Sequence, residues 1–391
     1  MNDSEGAGRG AGAKVVVCVT EDWFALSHFK PLIRALVAIT REVVVVTRSS
    51  GRIDEIAALG ARTIEFDFQR SSLNPLSQAV AVRKLTQLLR AERPDAVHLI
   101  ALKPIVLGGL AARRAGVTHV GVHMTGLGLL AVQTSPKAAI VRRIALTVTG
   151  MLLRRPSTHL FVENRDDLTY LRRAAADPGA RVTILGGAGV DPEHFVAQPR
   201  PGTYDAMGRP IAAYVGRMIM TKGVDIVMAA QGLLAARGVA LGFELYGKID
   251  ADNPEAITRE QIAAWERDGR ARWFGHIEDV REVWKRADIC VMAPRGGEGL
   301  PRALLEAAAS ARPLVVTDVP GCREFVRNGI EGFVVPPDNP AALADALETL
   351  LLDRRLRDRM GTAARQRVLD GFTEGHVMAA VQQAYRQMLP V

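Results

Sequence analysis

Of 391 residues only three are cysteine, only 5% are aromatic, and no acidic side chain occurs between Asp95 and Glu163. Each scarcity excludes something. Cys18, Cys290 and Cys322 are an odd set, two of them inside apolar strand patterns, so buried thiols in a reducing cytoplasm are expected rather than a disulfide framework. No cysteine pair has metal-ligand spacing and the eight histidines form no tight cluster, which argues against a metal site. A formal charge of +8 would allow a nucleic-acid partner, but the low aromatic content and the lack of any nucleic-acid motif argue against one. In the basic helical stretch of that window the longest uncharged run, Ile144 to Leu153, is far short of the roughly 20 residues that a membrane-spanning helix needs. The first dozen residues lack the apolar core of a signal peptide, and residues 1–13 are expected to be disordered.

What is present fits a globular protein: 48% apolar and 24% charged residues, in a chain long enough for two separate cores. Short runs of strand character at 14–20, 42–47, 63–66, 96–100, 119–124 and 159–162 alternate with segments of helical periodicity. A second such series occupies 211–215, 242–246, 271–274, 288–292, 314–317 and 332–335. This alternation predicts an α/β chain of two Rossmann-like, doubly wound parallel-sheet domains facing a cleft. Gln198-Pro199-Arg200-Pro201-Gly202 has linker composition, which sets the expected domains at 14–199 and 200–372. In this fold the last stretch, 373–391, is expected to cross back to the first domain as a helix.

The acid-free window carries Lys103, Arg113, Arg114, Lys137, Arg142, Arg143, Arg154 and Arg155, eight cations that equal the whole excess of charge. Inside it, Ile140, Val141, Ile144, Ala145, Val148, Met151 and Leu152 recur at helical spacing. Such a basic amphipathic helix suits the headgroup layer of an anionic membrane. The same periodicity also serves packing on the domain's own sheet.

The segment Gly296-Gly297-Glu298-Gly299-Leu300-Pro301-Arg302-Ala303-Leu304-Leu305-Glu306 combines a glycine-rich turn, a helix start and two carboxylates eight positions apart. Helix N–H groups receive a diphosphate, glycines let backbone approach it, and carboxylates accept hydrogen bonds from hydroxyls, so the pattern suits a sugar nucleotide. Upstream, an apolar strand runs into Gly216-Arg217, with Thr221-Lys222-Gly223 following at a helix start; both cations are candidates for the diphosphate. Downstream, Pro320-Gly321-Cys322-Arg323-Glu324 follows another strand.

On these three motifs, in this order, the chain resembles the retaining glycosyltransferases of family 4, which have the GT-B architecture. Glu21 to His28, His98 to Pro104, Thr125-Gly126-Leu127-Gly128, Phe161 to Asp167 and Gly187 to Asp191 narrow the resemblance to a bacterial branch that acts on undecaprenyl-diphosphate-linked saccharides in N-glycan, capsule and O-antigen assembly. Two departures stand out. Gly297 replaces the first arginine of the branch's Arg-Glu-Gly-x-Pro-Arg segment, and Phe29-Lys30 follow His28 where Arg-Leu is common. The resemblance implies that Glu298 orients the donor sugar, that Glu306 accepts the ribose hydroxyls, and that Gly299, Leu300 and Pro301 present backbone to phosphates and sugar. It implies attack on the face that the leaving phosphate departs from, with no dedicated nucleophile, metal or cofactor.

His123 or Thr125, read as following an apolar strand, is the expected contact to the donor sugar from the first domain. Asp22, Ser27, His28, Lys103, Thr125 and Gly126 are the acceptor-side candidates, with Lys103 and the Arg113-Arg114 pair read as able to meet a lipid diphosphate. The expected protein is thus a cytoplasmic glycosyltransferase on the inner face of the plasma membrane, using a nucleotide sugar, a UDP-sugar first of all, and a polyprenyl-diphosphate-linked acceptor. A same-fold enzyme with a soluble acceptor, a sugar-nucleotide epimerase and a sugar-nucleotide-binding regulatory subunit are the alternatives.

Overall fold

In the computed structural model, the described residues are 12–68, 74–126, 136–175, 181–197, 209–251, 253, 255–297 and 299–389. Most of the segment expected to be disordered, 1–11, lies outside them, as does Glu298. Ala13, expected to be disordered, is held in place: its carbonyl accepts the Arg41 N–H at 2.9 Å.

The chain divides into two compact units, one of residues up to Ala188 together with Glu374 onward, the other Gly189–Thr373. In the first unit the strands are β1 (Lys14–Glu21), β2 (Glu42–Arg48), β3 (Arg62–Glu65), β4 (Ala96–Ile100), β5 (His119–Met124), β6 (Thr158–Val162) and β7 (Arg181–Ile184). They form one parallel sheet in the order β3-β2-β1-β4-β5-β6-β7. The second unit contains β8 (Ile211–Val215), β9 (Gly242–Tyr246), β10 (Arg272–Gly275), β11 (Ile289–Met292), β12 (Leu314–Thr317) and β13 (Gly332–Val335), ordered β10-β9-β8-β11-β12-β13. Both orders reverse beside the first strand, so each unit has its topological switch point between its first and fourth strands.

The strands read as continuous apolar runs because both faces of each sheet are covered. Val16 and Cys18 of β1 enter one core cluster while Val15, Val17 and Val19 enter another, as the two-residue period of a strand requires. Ile289 and Val291 of β11 likewise face one cluster, Cys290 and Met292 the other. Each fully buried valine contributes on the order of 1.5–3 kcal/mol, so a charge at Val17 would break the first sheet at its centre. All three cysteines are free and buried.

Two expectations need correction. The seventh strand, Arg181–Ile184, was not foreseen: it is four residues long, lies at the sheet edge and exposes both ends, so it lacks the apolar run that marks its neighbours. The units divide after Ala188 rather than at 199, because Val190 and Phe195 pack in the second unit's core and Val190 pairs with Thr373. Arg365 reinforces this by donating to the Phe195 carbonyl at 2.7 Å. The helix Glu374–Met388 packs Val377, Val381, Ala384, Tyr385 and Met388 into the first unit's core. No helix among the described residues is long and apolar enough to cross a membrane.

Candidate active site

In the second unit the loops after β8 and β11 meet at the switch point, backbone against backbone. The Arg295 N–H donates to the Thr221 carbonyl at 2.9 Å. Gly223 sits at φ +70°, where a Cβ would lie 1.7 Å from the Ala293 oxygen. Only glycine fits there. A second close approach follows, since a Cβ on Gly321 would lie 1.6 Å from the Gly299 oxygen, so the loop after β12 rests directly on the glycine-rich turn.

This edge brings together most of the residues expected at the donor. Gly216 and Arg217 leave β8, and Lys222 ends the 3-10 turn Met220–Lys222, one residue before the helix Val224–Ala236. Gly299, Leu300 and Pro301 are buried and lead into the helix Arg302–Ala309. The N-cap positions of these helices are Gly223 and Pro301, which have no side-chain acceptor to offer the first N–H groups. Two helix starts of this kind on one sheet edge favour an anion.

Glu306 lies within the second helix, 6% exposed, with Oε1 accepting from Arg302 Nε at 2.7 Å. Burial pushes its carboxyl up, and the Arg302 guanidinium opposes that. Arg217 is half-exposed and its Nη1 lies 3.1 Å from Asp250, tying the loops after β8 and β9. Sequence reasoning missed the central cation here, Arg295. Its guanidinium forks onto both Asp225 oxygens at 2.8 and 2.7 Å and reaches Asp338 at 2.7 Å. The signal was available: an arginine between Pro294 and Gly296, directly after an apolar strand, paired with an aspartate in the first turn of a helix that starts at the same edge.

In the first unit the acceptor-side candidates occupy the corresponding edge, after β1, β4 and β5, but their surroundings differ from expectation. Asp22 is fully buried, and its carboxylate accepts N–H groups of Trp23 at 2.6 Å, Ser50 at 2.6 Å and Arg52 at 3.0 Å. It clamps the loop after β2 instead of facing a ligand. Burial pushes this carboxyl up, but the hydrogen bonds from Ser50, Arg52 and Trp23 outweigh it and hold it below the ordinary 3.8. Asp22→Asn is therefore expected to cost roughly 1.5–3 kcal/mol near neutral pH. With the folded-state value depressed, that stability is present above the unfolded value and lost as pH falls through the folded one. Urea melts should show the gap between wild type and variant closing as pH falls through and below the ordinary carboxylate range.

Ser27 Oγ lies 2.7 Å from His28 Nδ1 and 3.2 Å from the Phe24 carbonyl, and His28 packs on the Phe24 ring. Lys103 is in the first turn of the helix Leu102–Ala115, where burial lowers its pKa and Asp67 acts to raise it. Arg113 and Arg114 lie in the last turn of that same helix, roughly 15 Å along its axis, so they and Lys103 cannot hold one diphosphate together. His123 is also misread by the sequence: it lies inside β5, 2% exposed, not beyond it. Thr125 and Gly126 do follow the strand, Gly126 at φ +94°, while Leu127 and Gly128 lie outside the described residues.

The basic helix Pro136–Leu153 divides its apolar stripe. Ala145, Val148 and Leu152 are buried in the core, whereas Ile140 and Ile144 are 61% and 52% exposed beside Arg142 and Arg143. Arg142, Arg143, Leu146, Thr147 and Arg154 line a recess of about 480 Å³. No group of histidine, cysteine or carboxylate side chains among the described residues could hold a metal ion.

Residues 14–152 match the family described as "Glycosyl transferase 4-like", and residues 209–353 match "Glycosyl transferases group 1". A relative from Campylobacter jejuni, N,N'-diacetylbacillosaminyl-diphospho-undecaprenol alpha-1,3-N-acetylgalactosaminyltransferase, is 25% identical over 354 residues, 88% of this chain and 91% of its own. Among solved structures, Anabaena HepE in complex with UDP and glucose superposes with a TM-score of 0.75 at 16% identity, covering 96% of this chain and 100% of that one. Sucrose-phosphate synthase from Thermosynechococcus elongatus gives 0.76 at 20% identity, covering 96% and 99%. With two doubly wound parallel sheets, a glycine-clamped switch point and matches across both units, the chain belongs to the group 1, family 4-like glycosyltransferases of GT-B fold.

Proposed function

We propose that this glycosyltransferase moves a hexose from a UDP-sugar to a polyprenyl-diphosphate-linked saccharide, with retention at the anomeric carbon. The observation that carries the reading is the switch point of the second unit, where two helix starts and two glycine close approaches converge with Arg217 and Lys222. In the reaction the anomeric C–O bond to the β-phosphate breaks, a bond to the acceptor oxygen forms on the same face, and the acceptor proton passes to the departing phosphate. Fixed cations and N–H groups act most strongly where that phosphate gains charge. Arg217 and Lys222 serve the diphosphate; Gly216, Gly299, Leu300 and Pro301 bring backbone to it. Glu306 takes the ribose hydroxyls, and Glu298 orients the sugar.

The lipid-linked acceptor is supported by the relative from Campylobacter jejuni, whose name states a diphospho-undecaprenol substrate, and by the acid-free window with its arginine-lined recess and exposed isoleucines. These features suit a peripheral position on the anionic cytoplasmic face of the membrane. Ser27, His28, Lys103, Thr125 and Gly126 are the acceptor-side residues of this reading.

The test is incubation of purified protein with radiolabelled UDP-sugars, with and without a membrane extract, followed by organic extraction. Label entering the lipid phase, and lost in Glu298→Ala, is the expected result. Transfer only to water-soluble products would replace the lipid acceptor with a soluble one, and isomerisation of donor without any acceptor would make the protein an epimerase. Donor binding without turnover of any kind would reduce it to a sugar-nucleotide-binding subunit.

A further inference from the structure

At the switch point of the second unit, Arg295 is a cation to which the proposed chemistry gives no part. Its guanidinium fork closes on Asp225, Nη1 to Oδ1 at 2.8 Å and Nη2 to Oδ2 at 2.7 Å. Nη1 also donates to the Met220 carbonyl, and Nε donates to Asp338 Oδ1 at 2.7 Å. The backbone N–H of the same residue donates to the Thr221 carbonyl at 2.9 Å. Four of these five oxygens belong to Met220, Thr221 and Asp225. Arg295 therefore grips the chain on both sides of Lys222.

The grip has a rigid base. Arg295 follows β11, and the buried Thr317 hydroxyl of β12 donates to the Pro294 carbonyl at 2.6 Å. The turn is held a second time by the loop after β9: the Met220 N–H donates to the Glu255 carbonyl at 2.8 Å, the Thr221 hydroxyl donates to the Glu255 carboxylate, and Ile219 pairs with Ala256. Charge decides what Arg295 itself does not do. Asp225 and Asp338 set two negative charges against its one at hydrogen-bond distance, so the cluster offers no positive field to a diphosphate. To reach a phosphate the guanidinium would have to leave a bidentate pair, the strongest arrangement open to it, and strand Asp225 as a partly buried carboxylate without its cation.

We propose that Arg295 is a positioning residue, which fixes the Met220–Lys222 turn so that Lys222 is presented to the departing phosphate, and which does not itself touch the donor. The part given to Lys222 rests on the proposed transferase reading, whereas the clamp on the turn does not.

A double-mutant cycle tests the coupling. Arg295→Ala should lower kcat about 10- to 100-fold with donor KM changed less than about threefold; in the Lys222→Ala background the same change should cost less than about twofold, because no cation is left to position. Arg295→Lys keeps the charge but loses the fork, and should recover only a small part of the loss. Equal losses in both backgrounds, or full recovery by Arg295→Lys, would give Arg295 an effect of its own and overturn the proposal. Asp225→Asn, isosteric and with one acceptor oxygen in place of two, substitutes for Arg295→Ala in the cycle should that variant fail to fold. Hydrogen exchange on the full chain reads the clamp without turnover. The Lys222 and Gly223 amides, bonded to the Ile219 and Met220 carbonyls, should exchange about tenfold faster in Arg295→Ala or Asp225→Asn, with those of β9 unchanged. Unaltered exchange at the turn, or equal acceleration in β9, overturns the clamp. Failure of the transferase reading would appear differently, as wild type that turns over no donor while the exchange results stand as stated.

Discussion

Lys222→Ala is expected to cut kcat about 10²- to 10³-fold, a loss of ~3–4 kcal/mol of transition-state stabilisation, with donor KM changed far less. The asymmetry follows from when the charge develops. In the bound donor the diphosphate charge is already shared over its oxygens, while bond cleavage adds charge to the terminal one. A cation held at that point acts chiefly on the transition state. The proposed reading assigns that point to Lys222, whose backbone is fixed because the 3-10 turn that it ends is followed at once by Gly223, which is wedged against the Ala293 carbonyl. Arg217 is more exposed and already paired with Asp250, so Arg217→Ala should cost only about tenfold. Steady-state kinetics at saturating acceptor separate the cases. A rise in donor KM with kcat intact would assign Lys222 to ground-state binding alone.

Gly223→Ala should destabilise the second unit by about 3 kcal/mol or more and abolish activity with it. Two penalties combine at one atom. A side chain at φ +70° is strained by itself, and its Cβ would sit 1.7 Å from the Ala293 oxygen and 2.5 Å from the carbonyl carbon, backbone that cannot step aside without moving β11. The same substitution nine residues later gives the opposite sign. Gly232 lies within the helix Val224–Ala236 and a Cβ there meets nothing within 4 Å, so Gly232→Ala should stabilise by roughly 0.5–1 kcal/mol. Calorimetry on the two variants checks the pair, and similar melting shifts for both would refute the clash.

The alternation of strand and helix was legible because a parallel sheet covered on both faces must be apolar along its whole strands, as in Val15 to Val19 and Ile289 to Met292. The Arg181–Ile184 strand escaped because an edge strand of four residues needs little apolar side chain. The glycine turns announced the switch-point loops, since only close backbone approach requires glycine at 223 and 321. What a polar residue does could not be read in the same way. Asp22 has the sequence setting of a ligand-facing residue, yet its partners are backbone N–H groups some thirty residues away. Arg113 and Lys103 are near in sequence but at opposite ends of one helix. The proline-rich stretch at 198–202 marked a linker by composition, while the actual division is set by the packing of Val190 and Phe195, which composition does not report.

The return of the last helix to the first unit has a consequence for how the protein is made. Residues up to Ala188 leave the ribosome first, but the cluster around Val15, Val45 and Leu36 is closed by Val381, Tyr385 and Met388. The nascent first unit must therefore persist with an uncovered apolar flank while some two hundred further residues are added, on the order of 10–40 s at ordinary elongation rates. Gly189–Thr373, whose cores draw on no later segment, is complete before its elder neighbour. Birth order and order of completion are thus reversed, and the interval between them is when a chaperone has most to offer this chain.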